Sequence, residues 1–207
     1  LLWARRAGGS GFDQGRGVAT DASGNIFVTG LFQAAASFDG TVLSSSGLSD
    51  VFLAKYSPAG ALLWVRAAGG NDYDEGRAVA VDAAGNAYIT GFFDATASFG
   101  AQSLVNRSSS DDVFVAKCSG AGTFLWAVRA GGSLDDVGQG IAVDGATNVY
   151  VAGSFAGSAA FGNTTLNASG AGTAADAFLA KYTPDGSLIW VRQAGGTGQD
   201  EDRKSVV

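Results

Sequence analysis

The chain has 207 residues, of which 46% are hydrophobic and 15% charged, a balance typical of a single globular domain. It contains 32 glycines, two prolines, one cysteine and no histidine. The lack of histidine excludes Ser-His-Asp and Cys-His catalytic sites and the usual zinc sites. A net charge of −6 argues against nucleic-acid binding, and no apolar run approaches the roughly 20 residues of a membrane helix.

Two short strands open the pattern. The first, predicted over Gly17–Thr20, ends at Asp21, and the turn 21–25 contains a Gly-Asn pair. The second strand, Ile26–Gly30, is rich in β-branched and aromatic residues. Two apolar runs joined by such a turn predict a β-hairpin. A short edge hairpin is predicted within residues 37–43.

A second hairpin follows in the same repeat. Its first strand is predicted over Val51–Tyr56 and its second over Ala61–Arg66, with a Ser-Pro-Ala-Gly turn at 57–60. One repeat therefore predicts four strands.

The same letters then recur along the chain. The tryptophans Trp3, Trp64, Trp126 and Trp190 are 61, 62 and 64 residues apart. Changes in repeat length fall only between Leu43 and Asp50 and at the equivalent places. A packed strand could not absorb such additions, so this segment is predicted to be an exposed loop. Other recurring positions include Asp13/Asp74/Asp136/Asp200, Asp21/Asp82/Asp144, Phe38/Phe99/Phe161, Asp50/Asp112/Asp176, Phe52/Phe114/Phe178 and Lys55/Lys117/Lys181.

Four antiparallel strands with one aromatic anchor per repeat predict a β-propeller blade, which cannot bury its surface alone. We expect an all-β fold of about three complete blades plus partial strands, forming an incomplete ring. The expected repeats cover about 3–63, 64–125 and 126–189, and a fourth begins at 190–201. Residues 202–207 resemble a translated sequencing adapter and are interpreted as a non-native tail, so both natural termini are expected to lie outside the sequence.

The order of these motifs, GG…D-x-G-x-x-(I/V)-A-x-D-x-x-G-N…D-x-F-(V/L)-A-K-Y…G-x-x-x-W, resembles the SBBP β-propeller repeats of bacterial secreted and cell-surface proteins. The resemblance covers residues 1–201. It implies an extracellular or cell-surface location and further blades in the parent chain. Three residues depart from the pattern. Thr147 replaces a turn glycine, Cys118 replaces a tyrosine, and Arg129 lies one residue later in its repeat than the equivalent arginines.

Two aspartate series are candidate metal ligands. Asp21, Asp82 and Asp144 lie in tight turns, where they could bind calcium or could accept hydrogen bonds from their own turn. Asp13, Asp74, Asp136 and Asp200 could form an acidic ring that holds a cation, or could bond the amides of the Gly-rich turn before them. For both series, the favoured interpretation is that each aspartate accepts hydrogen bonds from a turn of its own blade. No cofactor is assigned.

The remaining repeated residues are interpreted as structural. Lysines 55, 117 and 181 are expected to pair with Asp50, Asp112, Asp176 or neighbouring aspartates. The anchors between blades are predicted to be Trp3, Trp64, Trp126, Trp190, Phe52, Phe114 and Phe178. Recognition is expected in the unrepeated segments 44–49, 105–111 and 167–175, and in 33–36, 94–97 and 156–159.

Three functions stay open. The favoured one is a non-catalytic scaffold or binding module of a secreted or surface-exposed bacterial protein, which acts in adhesion or binds a protein or glycan partner. The second is a carboxylate-based glycan hydrolase or lyase, disfavoured because only Glu75 and Glu201 are glutamates and no unique polar cluster is recognised. The third is a propeller whose turns are stabilised by calcium without catalysis.

Overall fold

The computed structural model describes residues 2–106, 108, 110–170, 172–198 and 200. These residues form β-strands and turns and contain no helix, which confirms the predicted all-β class. Accordingly, no long apolar helix capable of crossing a membrane occurs in the described part of the chain. The predicted tail, 202–207, lies outside the described residues.

The strands follow one another with short connections. In chain order they are β1 (Ala7–Gly9), β2 (Gln14–Thr20), β3 (Ile26–Phe32), β4 (Ala35–Phe38), β5 (Thr41–Ser44), β6 (Asp50–Tyr56), β7 (Leu62–Gly70), β8 (Asp74–Val81), β9 (Ala87–Phe93), β10 (Thr96–Phe99), β11 (Gln102–Val105), β12 (Asp112–Cys118), β13 (Phe124–Gly132), β14 (Asp136–Val143), β15 (Val149–Ala156), β16 (Ser158–Phe161), β17 (Thr164–Asn167), β18 (Ala175–Tyr182) and β19 (Leu188–Ala194).

The strands form four antiparallel sheets. Their orders are β1-β4-β5, β11-β10-β7-β6-β3-β2, β17-β16-β13-β12-β9-β8 and β14-β15-β18-β19. Each larger sheet contains four strands that we call a blade: β2-β3-β6-β7 is the first, β8-β9-β12-β13 the second and β14-β15-β18-β19 the third. The blades are offset from the predicted repeats, because the outer strand of each blade carries the tryptophan with which the next repeat begins. The described strands do not close into a ring.

The prediction of four-stranded sheets is wrong for the first two blades, because their sheets have six strands. The predicted edge hairpin is present, but it pairs with the strand that precedes its own blade: β4 pairs with β1, and β10 pairs with β7. Strand β7 extends past its partner β6, so that Gly69 and Gly70 pair with Ser98 and Ala97 of β10. A Cβ at Gly70 would collide with the carbonyl oxygen of Thr96, which explains the glycine. Each hairpin therefore ties its own blade to the one before it.

The blades pack against one another through their faces, and β8 lies between β2 and β14. One apolar cluster contains Phe27 and Leu53 of the first blade together with Ile89 and Phe93 of the second. The hydroxyl of Thr29, which donates to Phe52 O at 2.8 Å, faces Gly76 of the next blade. Thr90 and Gly138 repeat this contact one blade further on.

Each inner strand carries a β-bulge at the same place. Its register shifts between Gly15 and Gly17 in β2, between Gly76 and Ala78 in β8, and between Gly138 and Gly140 in β14. The extra residue is Arg16, Arg77 or Gln139. A bulge leaves its extra residue unpaired and redirects the side chain of that residue. These three side chains are therefore not oriented by strand pairing as their neighbours are.

Candidate functional site

The Asp21 series lies in the turns between the first and second strands of each blade. Asp21 Oδ1 accepts hydrogen bonds from Ser23 N and Asn25 N, both at 2.9 Å, and Oδ2 accepts from Asn25 Nδ2 at 2.8 Å. The turns of Asp82 and Asp144 have the same bonds. The hydrogen bond from the Asn25 side chain holds the pKa of Asp21 below its usual value. These carboxylates are thus engaged by their own turns.

The Asp13 series lies at the opposite end of the blades, where the inner strand begins. One oxygen of each aspartate accepts a 2.7 Å hydrogen bond from the second glycine of the preceding pair: Gly9, Gly70, Gly132 or Gly196. Asp74 and Asp136 are completely buried, so they line no open acidic mouth. Burial raises the pKa of each of these two carboxyls to about 8. The hydrogen bonds predicted between these aspartates and the backbone amides of the Gly-rich turns are therefore present.

The predicted anchors lie at or near the boundaries between blades. The indoles of Trp3, Trp64 and Trp126 donate to Pro58 O, Gly120 O and Pro184 O, each in the blade that follows the tryptophan along the chain. Trp190 stacks edge-on against Tyr150 within its own blade. Phe52, Phe114 and Phe178 are buried against Phe38, Phe99 and Phe161.

The repeated lysines lie over aromatic rings. Lys55 is 4.8 Å from the ring centroid of Phe27, and Lys117 and Lys181 lie similarly over Tyr88 and Tyr150. Lys55 also pairs with the neighbouring Asp21 at 3.4 Å. Among the described residues, no ion pair joins these lysines to Asp50, Asp112 or Asp176.

A polar network that the sequence reasoning missed crosses the three inner strands. Glu75 Oε1 accepts from Arg16 Nε at 3.0 Å and from Arg77 Nε at 3.1 Å. Arg77 also donates to Gln139 Oε1 at 2.9 Å and lies over the ring of Phe92. Both arginines and Gln139 are the bulge residues. The sequence feature that could have indicated this network is that its glutamate is not repeated. The positions equivalent to Glu75 in the other two blades hold Gln14 and Val137.

This network borders a cavity of about 300 Å³ between the first and second blades. At its rim, Phe12 and Tyr73 are 57% and 49% exposed. Asp111, which lines the cavity, has a pKa raised to about 6 by burial, with a contribution from the nearby charge of Asp135. The complete lining is Phe12, Arg16, Leu31, Gln33, Ser49, Tyr73, Glu75, Phe92 and Asp111.

The backbone around Tyr73 is fixed by both blades. Ser49 of the first blade accepts from Asp74 N at 2.9 Å, and Tyr73 O accepts from Asp94 N at 3.1 Å. Tyr73 is thus an exposed aromatic side chain on a hydrogen-bonded backbone, which lowers the entropic cost of binding a partner. Gln33, Ser49 and Asp111 come from the segments in which recognition was expected, whereas Phe12, Arg16, Tyr73 and Glu75 do not.

The chemistry of the cavity suits binding. Its lining combines apolar and aromatic groups with a few fixed polar groups, as ligand pockets do. Glu75 is held by two guanidinium groups and is not placed as a free acid or base. Within the described residues, no group of three or more Asp, Glu, His or Cys side chains could hold a metal ion.

Comparison with known families matches the β-propeller repeat called SBBP three times, at residues 2–31, 63–91 and 125–154. The chain carries SBBP β-propeller repeats. Each match begins near the outer strand of one blade or repeat and ends at the second strand of the next. The SBBP motif therefore spans the junction between blades, where the tryptophan anchors and the Gly-Gly pairs lie.

Two curated relatives are similar to this SBBP repeat chain. One is an uncharacterized WD repeat-containing protein, L264, of Acanthamoeba polyphaga mimivirus, 26% identical over 96% of the chain. The other is the regulatory protein FlaEY of Caulobacter vibrioides, 30% identical over 78% of the chain. The aligned region is 17% of each relative's length. A protein of unknown function from Bacteroides caccae has a similar solved structure, with 11% identity, a TM-score of 0.32 and coverage of 91% of this chain and 86% of that one.

Proposed function

We propose that the chain is a non-catalytic binding module of a secreted or surface-exposed bacterial protein, and that it holds a protein partner in the cavity between its first two blades. The observation that carries this proposal is the cavity itself. It joins the Arg16–Glu75 ion pair to two exposed aromatic side chains, Phe12 and Tyr73, which hold equivalent positions in their repeats. The corresponding cavity at the next junction has Asp135 at this position and no aromatic side chain in its described lining.

A protein partner suits the lining better than a glycan does. Leu31, Phe92 and the rings of Phe12 and Tyr73 offer apolar contacts, and the charged groups Arg16 and Glu75 already bind each other. A sugar presents many hydroxyl groups that would need free acceptors and donors. An apolar or aromatic side chain of a partner would bury against these walls, as interface anchors do. The two relatives, a WD repeat-containing protein and a regulatory protein, are consistent with a binding scaffold.

The test is selection of a phage-displayed random peptide library on the immobilised chain, followed by calorimetric titration of the selected peptides. Phe12→Ala and Tyr73→Ala are each expected to weaken binding about tenfold or more, as for anchors at protein interfaces. Leu63→Ala is the control, because Leu63 is as exposed but lies on the outer strand of the first blade.

Peptide binding that neither aromatic variant weakens would contradict the proposed site. A polysaccharide panel is titrated in parallel. Polysaccharide binding that depends on Phe12, in the absence of peptide binding, would replace the protein partner by a glycan. Polysaccharide turnover abolished by Asp74→Asn or Asp136→Asn would overturn the non-catalytic function.

A further inference from the structure

Two buried aspartates from different blades converge at Gly69. Asp50 begins β6 of the first blade, and Asp74 begins β8 of the second. A Cβ placed on Gly69 would lie 3.0 Å from Asp50 Oδ1 and 2.8 Å from Asp74 Oδ2. The two residues are only 3% and 0% exposed. The absence of a side chain at Gly69 thus leaves room for two carboxyl groups that are shielded from water.

These carboxyl groups are only partly satisfied. Asp50 Oδ2 accepts from Ser46 N at 3.0 Å, and Asp74 Oδ2 accepts from Gly70 N at 2.7 Å. The Oδ1 atom of each has no hydrogen-bond partner in the described structure. Leaving two ionised carboxylates together in such a site is costly, because burial disfavours charge and like charges repel.

The next junction places an arginine beside its pair of aspartates. There, Asp112 and Asp136 converge at Gly131, and Arg129 Nε lies 2.8 Å from Asp112 Oδ2. Burial still raises the pKa of Asp112 to about 7 and that of Asp136 to about 8, although the charge of Arg129 lowers the pKa of Asp112. At the first junction the corresponding arginine, Arg66, points elsewhere and donates to Gly122 O at 2.8 Å. Arg129 comes one residue later in its strand, and successive strand residues face opposite sides of a sheet. Among the described residues, the first pair therefore has no cation like the one beside the second pair.

In the part of the chain that the structure describes, no other positive charge replaces that cation. The nearby Asp94 adds negative charge to the site of Asp74. Arg16 and Arg77, the arginines on the two inner strands of this junction, are both bound to Glu75. No third acidic, histidine or cysteine side chain joins the pair as a metal ligand among the described residues. A proton is the smallest positive charge that the site can take.

We propose that Asp50 and Asp74 hold one proton between them, so that the pair carries a single negative charge at neutral pH and the joint between the first two blades weakens in alkaline solution. The proton comes from solvent and returns to it as the pH rises. In support, burial raises the pKa of Asp50, and burial together with the charge of Asp50 raises the pKa of Asp74 to about 8.

The direction of the pH effect follows from the raised pKa. In the unfolded chain Asp74 ionises near 3.8, whereas in the folded chain it keeps its proton up to about pH 8. The stability contributed by the protonated carboxyl is fully present below pH 3.8, and it is lost as the pH rises to about 8. Asparagine imitates the protonated acid, because it accepts through Oδ1 and donates through Nδ2.

The first experiment measures urea unfolding of the whole chain at pH 5, 7 and 9. Asp74→Asn is expected to raise the urea midpoint relative to the native chain at pH 9, and to raise it less at pH 5. Asp13→Asn is the matched control, because Asp13 makes the same 2.7 Å bond to a glycine amide without a described aspartate from a preceding blade beside it. It should show no alkaline gain. If Asp74→Asn lowers the midpoint equally at both pH values, the proposal is wrong.

The second experiment follows the side-chain carboxyl carbons of the native chain by NMR as the pH is raised, which needs no variant to fold. One carboxyl of the Asp50–Asp74 pair is expected to titrate near pH 8. Titration of both near 4 would overturn the shared proton. A rise of the native urea midpoint with calcium at pH 7, absent from Asp74→Asn, would show that a metal ion fills the site instead.

Discussion

The indole nitrogen of Trp64 donates a 3.0 Å hydrogen bond to the carbonyl oxygen of Gly120, across the boundary between the first and second blades. Its ring lies against Gly122, where a Cβ would stand 3.0 Å from Cδ2. Trp3 and Trp126 make the same kind of contact with turns of the blades that follow them. Each of these tryptophans therefore fixes the orientation of the following blade, besides filling an apolar space.

This relationship predicts the effect of removing one hydrogen bond. Trp64→Phe is expected to lower the free energy of unfolding by about 1 kcal/mol, the usual net contribution of a hydrogen bond, with a further loss from the smaller ring. Trp190→Phe is the control, since Trp190 makes no such bond among the described residues. Urea unfolding measures both variants. Equal losses would show that the bond between blades adds no stability.

The glycine of the D-x-G motif predicts a second contrast. A Cβ at Gly76 would collide with the Thr29 hydroxyl, which is held by its bond to Phe52 O. Gly76→Ala is therefore expected to cost about 1–3 kcal/mol, as overpacking does.

Gly15 holds the same repeat position in the first blade. A Cβ added to Gly15 would have a methyl group of Val28 as its nearest neighbour, at an ordinary van der Waals distance of 3.7 Å. Gly15→Ala is expected to be neutral or to stabilise by up to about 1 kcal/mol, because alanine loses less entropy on folding. Thermal unfolding of both variants measures the difference. A cost for Gly15→Ala equal to that for Gly76→Ala would refute steric contact as the reason for this glycine.

Much of the blade was predictable because its apolar strand segments and its turn residues recur at nearly constant spacing along the sequence. The predicted strand Val51–Tyr56 is observed as Asp50–Tyr56, and the segment 44–49 that varies in length lies largely between β5 and β6. The edge hairpin was also predicted, but its pairing was not. The sequence of residues 37–43 does not indicate which sheet the hairpin joins. In the next hairpin, the pairing of β10 depends on the extension of β7 past β6 to Gly70.

The candidate site was harder to predict, for a physical reason. Alternation assigns each strand residue to a face, and the bulges at Arg16 and Arg77 break that rule. In the sequence, Glu75 follows Asp74, which belongs to a recurring series. The prediction of a candidate site was therefore made for Asp74 and not for Glu75. Only the three-dimensional arrangement shows that Asp74 lies inside a junction and that Glu75 binds arginines from two strands.

The turn aspartates predict an acid-sensitive contribution to stability. Burial raises the pKa of Asp82, but the hydrogen bonds from Asn86, Tyr88 and the turn amides lower it by more, so its pKa lies below 3.8. The stability from this ionised group is present above pH 3.8 and is lost as the pH falls through the folded pKa.

Asp82→Ala is accordingly expected to lower stability by about 2–3 kcal/mol at pH 7, the scale of hydrogen bonds to a charged group. The gap from the native chain should shrink as the pH falls below 3.8. Asp185→Ala, at an exposed turn residue, is the control. Chemical denaturation at pH 3 and pH 7 measures the effect, and a gap independent of pH would mean that the charge of Asp82 contributes nothing.

The same turns predict insensitivity to calcium. Both oxygens of Asp21, Asp82 and Asp144 accept hydrogen bonds within the turn, so a bound ion would have to displace them. We expect the thermal midpoint to stay the same when a chelator is added, and again when millimolar calcium is restored. Because an ion that binds only the folded state raises the midpoint, an increase with calcium would support a metal-stabilised propeller.

The two outer faces of the blade stack predict self-association. Val18 on β2 is 69% exposed, whereas Val79, its counterpart on β8, is 8% exposed because it packs between blades. At the other end Leu179 is 41% exposed, while its counterparts Leu53 and Val115 are fully buried. Both end faces therefore present residues that occupy the core at internal junctions, and such patches favour association.

Light scattering of the native chain is expected to give a mass above that of a monomer, increasing with concentration. Val18→Lys combined with Leu179→Lys should lower this mass, because a charge on each face would have to be buried in the contact. Leu63→Lys combined with Leu125→Lys adds the same charge at outer-strand positions that are exposed in their blades, and should change the mass less. A stable native monomer at every concentration would show that the end faces do not associate.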